Sequence, residues 1–313
     1  MKNYRLIADD TILQDGKKLT RIQALRDILH HQVYKGDLGG YIESEKNLCQ
    51  DTYAWISSTS KVYGDAHVKD HAIVENNSTI IDKAIVCGHS KVNASTVSGS
   101  AVVKDNAAVG AASNIREQAE ISGYARAAYS QINDNAKVYG HASINGGTIS
   151  GSVEIFDHVS LTGDPHITEN ARIFGHATIS GNANISGNAR VYDHAHVYGQ
   201  TKITDDVQIF GRSQVHDGAI IRNYAQIYGD ANISGNSQIN NNAQVYGNAI
   251  VNEESFITEQ AKICEHAVIT GDSSITGQAF ISGHAWINNV VITGSLIIRG
   301  EGDVDHHYDF GDL

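Results

Sequence analysis

Histidines recur in this chain at a spacing that would set them in line. His141, His158, His176 and His194 follow one another at three hexads or one residue short of it, and the full three-hexad interval returns between His266 and His284. Imidazole changes protonation near neutral pH and is the commonest metal ligand, so such a row offers a general base for proton transfer or donor atoms for a metal. A single straight row cannot surround a metal tetrahedrally. The same corner elsewhere holds Asn182, Asn188, Asp230 and Asn248. Histidine is therefore read as one of several tolerated turn residues and no metal site is expected; His141, His158, His176 and His194 stand as the catalytic candidates if the chain is an enzyme. His196 and His216 fall on a different face and take the same turn-and-surface reading.

A second series is aromatic: Tyr139, Phe156, Phe174, Tyr192, Phe210, Tyr228 and Tyr246, spaced in the same way. Rings in such a column stack, which stabilises by about 0.5–1.5 kcal/mol per pair beyond area burial. The same rings also form an apolar stripe of the kind that marks an interface. Both readings stay open, and these seven are the candidate interface residues. Gln208, Gln226 and Gln244 stack likewise, where amides can bond rung to rung.

The element that must position these columns is a hexad. From Ile56 an aliphatic residue recurs at every sixth place through Val62, Val68, Val74, Ile80, Val86 and Val92, and the period resumes from Ile149 through Val191, Ile209 and Ile227 to Ile287. A small residue lies two places earlier, as Ala171 before Ile173 and Ser213 before Val215. Residues two apart in a strand share a face, so both point inward. Gly, Asn, Asp or His follows, types that tolerate the positive φ of a sharp corner. Three such strands close a coil of about eighteen residues, and roughly forty hexads give about fourteen coils. Five-residue steps at Val92 to Val97, Ala127 to Ile132, Ile144 to Ile149 and Ile287 to Ile292 shorten a corner without inserting a loop.

This pattern resembles the bacterial transferase hexapeptide-repeat family, over residues 54 to 298. The resemblance implies an all-β, single-stranded left-handed parallel β-helix; the handedness comes from the family and not from the spacing. The cap segment Tyr34-Lys35-Gly36-Asp37-Leu38-Gly39-Gly40-Tyr41-Ile42-Glu43-Ser44-Glu45-Lys46-Asn47-Leu48, followed by such repeats, is similar to YdcK-like and prophage-borne bacterial proteins. The family implies acyl transfer from acetyl-CoA in trimers, with a histidine base in a cleft between neighbouring chains. Here no loop is extruded between Ile149 and Ile287, and Tyr, Phe, Ser or Thr stands where the enzymes favour a Gly after the aliphatic residue. No C-terminal helix or basic cluster is present to hold the CoA phosphates. A non-catalytic binding or scaffold protein without cofactor is accordingly the first reading. An acetyl-CoA-dependent acyltransferase is the second, and a histidine-metal enzyme of the γ-carbonic-anhydrase type the third.

Three segments are expected: a cap over 1–53 whose strands 3–8 and 17–25 join through Asp15-Gly16, the β-helix over 54–298, and an acidic tail over 299–313. A solenoid needs its terminal edges covered, and the tail offers nothing comparable to the N-terminal hairpin. The net charge of −12 argues against nucleic acid, whose phosphates require clustered Lys and Arg. Spread-out acids read as a solvated face. Cys49, Cys87 and Cys264 are odd in number and lack ligand spacing, so free, partly buried thiols are expected. The N-terminal segment lacks a secretory apolar core and no stretch spans a bilayer, giving the expectation of a cytoplasmic protein with no membrane partner, assembling as a trimer or dimer.

Overall fold

The computed structural model describes residues 2–57 and 59–305. The chain divides into two compact units, Met1–Asp157 and His158–Leu313.

The first unit opens on an antiparallel hairpin, β1 (Tyr4–Gln14) and β2 (Lys17–Ala24). It turns at Asp15 and Gly16, both at positive φ, as that dipeptide favours. β1 is longer than the 3–8 read from the sequence, because a register shift between Leu6 and Thr11 lets the strand resume pairing. β2 pairs antiparallel with β3 (Leu38–Ile42), whose Tyr41 and Ile42 pair in parallel with Lys61 and Val62. The hairpin is thus joined edge-on to the first coil. Leu48 also bridges in parallel to Val68, and Trp55–Ile56 pairs with Ile73–Val74, so parallel coiling begins within the segment 38–56.

From there the chain repeats very short strands. Lys91–Val92 pairs on one side with Ile73–Val74, three hexads earlier, and on the other with Ala108–Val109, one residue short of three hexads later. The inward aliphatics Val62, Ile80, Val97, Ile115, Ile132 and Ile149 are all fully buried. A column like this stabilises through burial alone, about 1.5–3 kcal/mol per aliphatic side chain. The shortened corners place Ala94, Tyr129, Gly146 and Asn289 at positive φ, as the full-length corners place Asp70 and Asp105. Gly140 shows why some corners take only glycine: besides its positive φ, a Cβ there would lie 2.8 Å from the Asp157 nitrogen on the next rung.

The second unit keeps an unbroken three-hexad period over a long run: His166–Ile167 pairs with Asn184–Ile185, then Lys202–Ile203, Ile220–Ile221 and Gln238–Ile239. Val191, Ile209 and Ile227 are fully buried, as the hexad requires. Where serine takes the small inward place, its hydroxyl donates three places back: Ser213 to Phe210 O at 2.9 Å, Ser237 to Ser234 O at 2.7 Å. At its C-terminal end Phe280–Asn288 pairs along its whole length with Ile297–Asp305, so strand pairing continues past Ile298. The remainder of the expected tail, 306–313, lies outside the described residues.

The acidic residues are not merely a solvated face. Many stand at the positive-φ corner position, and their carboxylates accept the N–H of the corner one rung on: Asp70 from Gly88 at 3.0 Å, Asp105 from Gly123 at 3.0 Å, Glu169 from Gly187 at 2.9 Å, Glu265 from Gly283 at 2.7 Å. Corner amides that face out of the ladder are thereby satisfied. Periodic Asp and Glu at the glycine corners carried this signal in the sequence.

Candidate functional site: stacked columns and a cap cluster

Two outward columns run through each unit. In the second unit Phe174, Tyr192, Phe210, Tyr228 and Tyr246 stack with centroids 4.8–4.9 Å apart and planes within 6°. All five are half-buried, and Tyr192, Phe210 and Tyr228 each stack between two neighbouring rings. Arg172 extends over Phe174, 5.9 Å from its centroid. The Tyr246 phenol is raised far above its ordinary range, first by burial and then by its hydrogen bond with Cys264. In the first unit Tyr139 stacks on Phe156 at 4.9 Å.

The corner column carries the histidines. His158, His176 and His194 stack at 5.0 and 4.9 Å, and His266 on His284 at 4.7 Å. Between those runs the column holds Arg212, Asp230 and Asn248; Arg212 donates to both carboxylate oxygens of Asp230 at 2.8 and 3.1 Å. Asn182 and Asn188 belong to the other two corners and not to the histidine corner as expected, because they stand one and two hexads after His176 while a corner recurs only every third hexad. In the first unit His141 stacks under Tyr124 at 5.0 Å. His196 is exposed on the adjoining strand beside His194, whereas His216 is held by Asn232 at 3.0 Å and stacked on Tyr198 at 4.6 Å. Gln208, Gln226 and Gln244 are direct register partners on successive rungs.

Followed back toward the N-terminus, the same corner carries Tyr53, His71 and His89, stacked at 5.1 and 4.4 Å. Here the column is no longer alone. The one-turn 3-10 segment Leu29–His31 in the cap lies against it, placing the His30 ring 5.7 Å from His71 and 5.6 Å from His89, edge to face with both. One nitrogen from each of the three imidazoles lies within 4.8 Å of the others. The concavity they share is bordered by His31, Gln32, Glu75 and Lys91. His31 is lowered to about 4, by burial first and by the neighbouring His30 next. This cluster was not found from the sequence, because His30 lies outside the hexads and no periodicity reports where the cap folds back.

All three cysteines are free; burial raises the thiols of Cys87 and Cys264 and leaves Cys264 with little thiolate at neutral pH. No helix of the described residues is long and apolar enough to cross a membrane.

Parallel rungs of short strands around alternating small and aliphatic columns define a hexapeptide-repeat β-solenoid. Residues 183–199 and 243–257 match the model of the YdcK β-solenoid repeat, and both stretches lie in the second unit. No curated protein matches the chain. Among solved structures, LpxA from Acinetobacter baumannii is 15% identical, over 64% of this chain and 69% of that one, with a TM-score of 0.23, a likeness too slight to bear on function.

Proposed function

We propose that this chain is a non-catalytic β-solenoid that serves as a binding scaffold and self-associates through the aromatic column of its second unit. The observation that carries the reading is the ladder from Phe174 to Tyr246, five half-buried rings in one register on an outward face. Aromatic side chains left partly exposed in a continuous stripe favour burial against a partner surface. A second copy of the chain is the simplest partner, since a two-fold dimer can pair the stripe with itself and a trimer can set it against another face of the same chain.

The corners support the scaffold side of the reading. Within each unit's repeats, consecutive strands are separated by short corners, as by 63–66 between Val62 and His67. Such corners supply no loop to wall an acyl-CoA cleft. The histidine candidates for a base sit in a ladder where each is stacked as its neighbours are.

The test is sedimentation equilibrium of the chain with Phe174, Tyr192 and Phe210 all replaced by serine. The wild-type chain is expected to sediment as a dimer or trimer and the variant as a single chain. An unchanged mass with a lowered melting temperature would leave the column a self-stacked ladder and remove its role in association.

A further inference from the structure

We propose that His30, His71 and His89 form a site for a divalent transition metal, with zinc the best match, which fastens the N-terminal cap to the adjoining rungs. A column of histidines cannot enclose an ion, because stacked rings present their nitrogens side by side along one line. At His71 and His89 the cap adds a third imidazole from a different direction, edge-on to both. Their nitrogens already lie within 4.8 Å of one another. Zinc takes nitrogen at roughly 2.0–2.1 Å, which sets neighbouring ligands about 3.4 Å apart in a tetrahedron, so closure needs a shift of roughly 1.4 Å at most. His30 is exposed on a single turn and can swing; the near-parallel His71 and His89 rings must tilt toward each other.

The donor set decides the class of ion. Three imidazoles suit zinc, cobalt, nickel or copper, whereas magnesium and calcium require oxygen. Glu75, the carboxylate that borders the concavity, is already paired with Lys91 at 2.5 Å and accepts from Asn93 at 3.0 Å, which leaves the fourth position to water. A second observation lies beside the cluster: the His31 Nε2 is buried and finds no hydrogen-bond partner among the described residues. The His158–His176–His194 stack, with ring spacings of 5.0 and 4.9 Å, does not bring three donor nitrogens together among the described residues, so it is the built-in control.

The experiment uses the full chain without an affinity tag, stripped with chelator and titrated calorimetrically with zinc chloride, with cobalt absorption reporting tetrahedral geometry. One ion per chain is expected. His30→Ala and His89→Ala should each weaken binding by more than about a hundredfold, beyond what loss of a merely supporting residue costs. His176→Ala should leave it unchanged. His30→Ala is the decisive variant, since an exposed side chain can be removed without unfolding the rungs. No binding in the micromolar range, affinity retained in His30→Ala, or an equal loss in His176→Ala would each overturn the site.

Discussion

The corner column of the second unit and that of the first are built from the same residue type at the same spacing, yet only one of them converges. At His158, His176 and His194 each ring meets its neighbour at 4.9–5.0 Å, and these imidazoles form no three-donor cluster among the described residues. At His71 and His89 the cap brings His30 across it. A solenoid repeats its chemistry in one dimension, so its periodic part makes stripes, and a three-dimensional cluster arises where a non-periodic element folds back. In the repeats a residue's effect should follow from its place in the register; in the cap it should follow from the particular side chain.

The largest expected effect breaks the register. Ile209→Asp buries an unpaired carboxylate in a core whose coils contact only their neighbours, and should destabilise by roughly 4 kcal/mol or more. Thr204→Asp, at a half-exposed place, should stay within about 1 kcal/mol. Thermal unfolding of the pair checks this, and equal melting temperatures would contradict the assignment of inside and outside. The cap counterpart is Asn47, fully buried, whose amide donates to Gly64 O at 3.0 Å and Ala66 O at 2.9 Å while its oxygen accepts from Ser44 N at 2.9 Å. Asn47→Ala orphans those backbone groups and should cost about 3 kcal/mol in denaturant unfolding, despite changing a polar residue outside every hexad.

Smaller effects separate the regions further. Thr201 occupies a small inward place, and its buried hydroxyl has no partner among the described residues. Thr201→Val removes that orphan at constant shape and should raise stability by about 1 kcal/mol, read as a shift in denaturant midpoint. In the cap, Glu43 is held below its ordinary value of 4.5 by Lys17 at 2.9 Å and by the Gly64 N–H at 2.7 Å. A depressed carboxylate contributes stability that is present above its unfolded value and lost as pH falls through the folded one. Glu43→Gln should therefore flatten the acid limb of a melting-temperature profile below about pH 4.5 and leave the neutral region nearly unchanged; the effect is small because the pair is partly exposed.

How much of this was legible follows the same division. The inward columns, exemplified by Val191, Ile209 and Ile227, were readable because a period of six carries its own burial pattern. The aromatic ladder was readable by counting in steps of three hexads. The histidine column was followed only from His141, because shortened corners such as those at Ala94 and Tyr129 interrupt the count back to His89 and His71. His30 and Asn47 had no period at all, and their partners depend on how Leu29–His31 and the segment 38–53 lie against the rungs. The acids were visible but misread as idle, since a corner carboxylate that caps the next rung looks, in one dimension, like any surface charge.

The central claim, a scaffold without acyl transfer, is tested most directly by calorimetric titration with acetyl-CoA followed by a thiol-release assay over amino sugars, amines and hydroxylated acceptors. The scaffold reading requires no micromolar binding and no turnover above background. Micromolar binding with turnover that disappears on replacing one of His141, His158, His176 or His194 would contradict it and make that histidine the base.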